Sequence, residues 1–167
     1  MNTPNSTLKK VDDCLFCKFV SGEIPCHKVW ESDTHLAFLT IFPNTEGFTV
    51  VAAKDHLDSD ALAQNSKVLT ELVLAAQQVS YKLKAAFPDV GRVGLFFEGF
   101  GMNHLHAKLF PMHGTKPMTE WKKLASTGEI NTKFFHKYEG YLSSHNGERA
   151  NDTELAKLAE KIRNTHE

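Results

Sequence analysis

Apolar and polar side chains alternate in short runs along the first two thirds of the chain, with one long interruption of a different period. His27-Lys28-Val29-Trp30-Glu31 and His35-Leu36-Ala37-Phe38-Leu39 predict two short strands, separated by the turn-forming Ser32-Asp33 pair. Pro43-Asn44 and Gly47 break the chain, and Phe48-Thr49-Val50-Val51-Ala52 predicts a third strand. The period then lengthens. Leu69, Leu72, Val73, Ala76, Val79, Leu83 and Ala86 recur at three and four residues, predicting one long helix that Asp58 or Ser59 caps and Pro88 stops. Arg92 to Phe97 predicts a fourth strand and His104 to Phe110 a fifth, closed by Pro111. This pattern predicts an α+β domain: an antiparallel five-stranded sheet covered by one long helix.

The flanks read differently. The first ten residues form a loose tail, and Val11 to Val20 mixes apolar side chains with two cysteines before a turn at Ser21-Gly22-Glu23-Ile24-Pro25. Beyond His113, Gly, Thr, Ser and charged residues dominate. Only Asp152 to Ile162 is clearly periodic, with Leu155, Leu158 and Ile162 on one stripe and Asn151 or Asp152 as the cap. The expected organisation is a tail over 1–10, a domain over 11–114 and a mainly helical extension over 115–167, packed on that domain.

Composition narrows the functional classes. The chain has 167 residues, enough for one domain with a real core, and its 41% apolar and 23% charged content is globular rather than disordered. A formal net charge of -1 provides no global field toward nucleic acid or an anionic membrane, so neither is an expected partner. The amino terminus has no apolar signal region, and no stretch approaches the roughly 20 apolar residues that cross a bilayer. Three cysteines, two of them close together, fit reduced thiols or a metal site better than a disulfide framework. The reading is a soluble, cytoplasmic protein.

Candidate chemistry concentrates in Gly101-Met102-Asn103-His104-Leu105-His106-Ala107-Lys108-Leu109-Phe110-Pro111. On a strand, His104, His106 and Lys108 share one face while Leu105, Ala107 and Leu109 share the other. Two imidazoles and an ammonium on neighbouring rungs suit phosphoryl or nucleotidyl transfer. A neutral imidazole attacks phosphorus, and a nearby cation holds phosphate oxygens. A chance polar strand face with solvated histidines produces the same pattern. The segment resembles the histidine-triad (HIT) motif, His-x-His-x-His with apolar residues between, followed by proline. Further blocks agree in order and approximate spacing: Cys14 to Lys18, Ser21 to Pro25, His35 to Leu39, Gly47 to Val51 and Lys54-Asp55-His56. The resemblance covers about residues 14–113.

That resemblance implies an enzyme in which His106 attacks the α-phosphorus of a small nucleotide conjugate and forms a nucleotidyl-histidine intermediate. The conjugate would be a phosphoramidate, an adenylate or a dinucleoside polyphosphate. It places Leu15, Phe16, Phe19, Ile24, Phe38 and Ile41 around the base, positions that serve equally well as core. It further implies a structural zinc held by Cys14, Cys17, His56 and His104, and a homodimer. The cysteine pair by itself fits two buried thiols as well as a metal site; Cys26 lies outside the pattern.

Three positions depart from the family pattern. Lys108 replaces the third histidine, keeping a donor and a positive charge but serving poorly as a proton shuttle. Thr40 stands where an aspartate usually binds ribose. The loop Phe97-Glu98-Gly99-Phe100-Gly101-Met102-Asn103 is shorter than usual and lacks its serine, leaving backbone N–H groups and Asn103 to meet phosphate. Glu98 reads by default as a solvated loop carboxylate. These departures keep two alternatives open: a non-catalytic nucleotide-binding or scaffold protein, and a nucleotidyl transferase that uses inorganic phosphate.

Overall fold

The computed structural model describes residues 8–119, 121, 136, 151–153 and 158. Its elements run α1 (Leu15–Ser21), β1 (His27–Glu31), β2 (His35–Leu39), β3 (Thr49–Ala53), a 3-10 turn (Ala61–Ala63), α2 (Ser66–Ala86), β4 (Arg92–Phe96) and β5 (His106–Met112). The strands form one antiparallel five-stranded sheet in the order β1-β2-β3-β5-β4. The fold is therefore α+β, as the alternating runs predict. The chain divides after Trp121 into two units. Of the second, the described residues include helical Asp152 and Thr153, where Asn151 Oδ1 accepts the Thr153 N–H at 2.9 Å. Residues 115–119 and 121 of the expected helical extension are described and are not helical, and most of its remainder lies outside the described residues.

The sheet separates two apolar layers. Ala37, Val51, Ala53, Ala107 and Leu109 face α2 and pack with Leu72, Ala75, Ala76, Val79 and Leu83. Leu36, Phe38, Val50 and Ala52 face the opposite way, against Cys14, Phe16 and Cys17 of the amino-terminal segment. Leu72 and Val79 are completely buried, each worth about 1.5–3 kcal/mol of burial. Of the helical stripe read from the sequence, Val73 is 40% exposed, and Ala75 takes the inward position.

Several local expectations need correction. Neither Asp58 nor Ser59 caps the long helix: Asp60 caps the 3-10 turn, and Asn65 Oδ1 accepts the Val68 N–H at the start of α2. The fifth strand begins at His106 rather than His104 and runs through Pro111. The β3 partner ends at the Thr49↔Leu109 pair, so at Pro111 only β4 is paired and a missing N–H is tolerated. Residues 15–21, read only as a mixed segment, form α1, which ends at Gly22 with φ 77°. Within the expected loose tail, Lys9 is pinned: its N–H donates to Asp55 Oδ1, and its carbonyl accepts the His56 N–H, both at 2.8 Å. Residues 1–7 lie outside the described residues.

Candidate functional site

Two structures meet on the face of the sheet opposite α2. The first is a cluster of Cys14, Cys17, His56 and His104, whose ligand atoms all lie within 4.8 Å of one another. Cys14 Sγ stands 3.3 Å from His104 Nδ1, and Cys17 Sγ stands 3.5 Å from His56 Nδ1 and 3.7 Å from His104 Nδ1. Tetrahedral zinc with ligands at about 2.0–2.3 Å sets those ligands about 3.3–3.8 Å apart. The donor set and its spacing therefore fit such an ion. His104 is also prepared for it. Its Nε2–H donates to the Ala53 carbonyl at 2.7 Å, which leaves the Nδ1 lone pair toward the sulfurs. Burial holds the His104 ring below the ordinary histidine range and raises the Cys17 thiol, so a cation is what would keep that sulfur as thiolate.

The second structure is the row on β5. His106 pairs across the ladder with Ala52, and Lys108 with Val50, so both side chains stand on the α1 side. His106 Nδ1–H donates to the His104 carbonyl at 2.6 Å, which fixes the tautomer. Its ring is 3% exposed and meets the edge of Phe16 at 5.4 Å between centroids. Nε2 has no hydrogen-bond partner among the described residues. Among the described residues no fully buried side-chain nitrogen or oxygen lacks a partner, so this atom reaches the surface. Burial depresses the ring's pKa, with the Lys108 charge adding to the effect, and the resulting neutral imidazole carries a free lone pair. His106 is not one of the four residues of the Cys/His cluster.

Lys108 is committed to a partner that local pattern does not reveal. Its Nζ lies 2.5 Å from Glu98 Oε2, and the Glu98 side chain is 9% exposed. The expected solvated carboxylate is instead a largely buried ion-pair partner, because the loop before β5 folds back over the strand. Gly101 lies close above the pair, where an added Cβ would stand 3.7 Å from Lys108 Nζ.

The remaining predicted residues are only partly assembled. Phe16, Phe19 and Phe38 make an aromatic cluster with centroids 5.0–6.1 Å apart, and Phe16 and Phe38 are core residues. Leu15 is 38% exposed on α1, and Ile24 is half-buried just beyond it. Thr40 Oγ1 accepts the Phe42 N–H within a turn that leaves Ile41 71% exposed. Asn103 Oδ1 accepts the Ser59 N–H, tying the loop before β5 to the segment before the 3-10 turn. Between these two segments opens a cleft of about 530 Å³, whose lining includes Glu98 and Asn103 but not His106.

The HIT domain family matches residues 21–115, more than half of the chain. A HIT-like protein of Borreliella burgdorferi is 40% identical over 72 residues, 43% of this chain and 51% of that protein. The match thus spans about half the length of that relative. An adenosine 5'-monophosphoramidase of Schizosaccharomyces pombe is 30% identical over 65% of this chain and 77% of its own. Among solved structures, SMU.412c of Streptococcus mutans superposes with a TM-score of 0.64 at 26% identity, covering 92% of this chain and 85% of that one. A zinc-bound histidine triad protein of Mycobacterium smegmatis shares the fold at a TM-score of 0.55 and 21% identity, over 64% and 80% of the two chains. With a family match over residues 21–115 and His106 opening the strand that carries the motif, this chain belongs to the HIT domain family.

Proposed function

We propose that the protein is a nucleotide hydrolase or transferase that cleaves small nucleotide conjugates at the α-phosphate through a nucleotidyl-histidine intermediate. The observation that carries this reading is the state of His106: neutral, its Nδ1–H held by a backbone carbonyl, and its Nε2 without a partner among the described residues. Nε2 attacks phosphorus, an N–P bond forms, and the bond to the leaving group breaks. The electron pair departs with the leaving group, which takes a proton from solvent. Water then cleaves the N–P bond, releasing the nucleoside monophosphate and restoring the neutral ring. Thr40, already an acceptor in its turn, keeps a hydroxyl proton for a ribose oxygen, and the Phe16–Phe19–Phe38 cluster supplies an apolar wall for the base. The monophosphoramidase relative supports this class of substrate.

Cys14, Cys17, His56 and His104 would hold zinc, which when bound supplies a structural cross-link between the amino-terminal segment and the start of β5. We also read the chain as a dimer, for which β4 offers an edge strand with Leu95 40% exposed. The test of the activity is direct. Purified protein incubated with a panel of adenosine conjugates should release AMP and carry acid-labile nucleotide on His106, and His106→Ala should lower turnover by roughly a thousandfold or more. Turnover that persists in that variant would reject the mechanism. ADP formed from added inorganic phosphate would identify the transferase alternative.

A further inference from the structure

We propose that the protein carries a second binding site, on the α2 side of the sheet, for a primary ammonium borne on a small apolar body. A cavity of about 360 Å³ opens there, lined by Trp30 and His35 from the strands and by Glu71, Leu74, Ala75 and Gln78 from the helix. His35 lies two residues before Ala37 on β2, and Ala37 packs against α2, so His35 faces the helix. His106 and the Cys/His cluster stand across the sheet, and the inference does not depend on the nucleotidyl-transfer reading. The helical part of the lining has a direction. Glu71, Leu74, Ala75 and Gln78 recur at i, i+3, i+4 and i+7, one face of α2. A carboxylate and an amide therefore stand about 10 Å apart along the axis, with an apolar floor between them. Trp30, packed beside the α2 core, extends that floor.

His35 leaves an acceptor open in this cavity. The residue is 4% exposed, and its Nδ1 lies 2.9 Å from Thr34 Oγ1, while Nε2 has no hydrogen-bond partner among the described residues. Among those residues no fully buried side-chain nitrogen or oxygen lacks a partner, so Nε2 opens onto the cavity the ring lines. The turn before β2 holds the ring in place: Ser32 Oγ accepts the Thr34 and His35 N–H groups at 3.3 and 3.0 Å. With Nδ1–H donated to Thr34, Nε2 presents a lone pair. Burial holds the ring below the ordinary histidine range, against the pull of Glu71, so Glu71 is the one charged group of the lining. Its ion-pair partner is Lys67, 3.9 Å away on a side chain 84% exposed and outside the lining. Such a surface pair yields at little cost to an incoming cation. Among the described residues no lysine or arginine lines the cavity, and Lys28 and Lys54 are both held by Glu31. An ammonium supplies what both acceptors lack, N–H donors for Nε2 and for the carboxylate together with a positive charge. Its body then lies over Leu74, Ala75 and Trp30, and a polar far end meets the Gln78 amide.

The experiment is an amide and indole NMR titration of the full chain with probes that share a phenol body and differ at the other end: the ammonium tyramine, the neutral alcohol tyrosol and the anion phloretate. Tyramine should cause saturable shifts at the Trp30 indole N–H, at His35 and along Glu71 to Gln78, and should bind about tenfold or more tighter than either analogue. Glu71→Gln keeps the shape and removes the charge. It should weaken tyramine about tenfold and leave tyrosol unchanged. No saturation by tyramine up to about 10 mM, or equal affinity for tyrosol, overturns the proposal. So does an affinity for tyramine that Glu71→Gln leaves intact. Shifts centred on Phe16, Phe19 and Phe38 would put the amine on the other face of the sheet and equally reject the site. If the variant fails to fold, the ranking of the probes on the native chain decides alone. Turnover of nucleotide conjugates bears on none of these outcomes.

Discussion

Cys17→Ala separates a metal cross-link from a merely buried pair of thiols. Cys17 is 3% exposed, and its sulfur lies within 3.7 Å of both histidines of the cluster, so truncation removes one of the four donors a metal would need. Lost packing of a single sulfur costs on the order of 1 kcal/mol, whatever the cluster holds. A bound ion adds far more: at a free concentration a thousandfold above its dissociation constant it contributes about 4 kcal/mol. In a unit of this size each kcal/mol moves the melting temperature by about 4 °C, so the ion is worth about 15 °C. Thermal melts should be recorded for the native chain and the variant, with and without a strong chelator and with metal content measured in each sample. The chelator should lower the native midpoint by about 15 °C and leave Cys17→Ala almost unmoved. Reloading zinc at neutral pH should release about two protons per chain, because both thiols must ionise to bind. A native melt indifferent to exhaustive chelation, with less than about half an equivalent of metal present beforehand, would refute the cross-link. So would an equal chelator shift in the variant.

Two other predictions concern the scaffold. His113 donates from Nδ1 to Asp89 at 3.0 Å and from Nε2 to the Glu46 carbonyl at 3.0 Å, and these contacts raise its pKa, the Glu46 carbonyl foremost. Asp89 is lowered, chiefly by the Gly114 N–H. The histidine contribution is complete below its unfolded value of about 6.5 and fades as pH rises through the folded one. The aspartate contribution is complete above about 4 and fades as pH falls through its folded value. The stability difference between the native chain and His113→Gln, from denaturant titrations across pH, should therefore peak between about pH 4 and 6.5; a difference that grows toward pH 8 would contradict the geometry. Asn65→Ala should cost about 1 kcal/mol by removing the α2 cap, while Asp58→Ala leaves α2 intact in the same titration.

Much of this architecture is legible without coordinates. The β1 and β2 spans follow from alternation alone, and the five-stranded sheet from counting such runs between turn residues. The four residues of the Cys/His cluster lie up to 90 positions apart, and only the family pattern joins them in advance. What escapes has a common cause: the deciding partner is remote or is one of several equals. Asp58, Ser59, Asp60 and Asn65 all have capping side chains, and local rules cannot rank them. The start of β5 is set by Leu105, whose N–H donates to Leu57 and whose carbonyl accepts from Ala53. Residues 15–21 are too short for helical periodicity to separate from a buried strand. Glu98 pairs with Lys108 only because a loop folds back, so its charge at the site is a tertiary fact.

His104 joins the cluster and the candidate nucleophile through two different groups. Its ring faces the cysteines, its Nε2–H is held by the Ala53 carbonyl, and its own carbonyl receives the His106 Nδ1–H. Whatever fixes the ring therefore also fixes the acceptor that chooses the His106 tautomer and aims Nε2. A shift of about 1 Å at a reacting group costs on the order of a hundredfold in rate. Metal removal under conditions that leave the sheet folded should thus lower kcat by up to about a hundredfold while changing KM little, since Thr40 is held by the Phe42 N–H and Phe38 by Phe16 and Phe19 rather than by His104. The reading fails if metal-depleted, still-folded protein keeps its full kcat, because the carbonyl would then hold its place on the strength of the β-sheet alone.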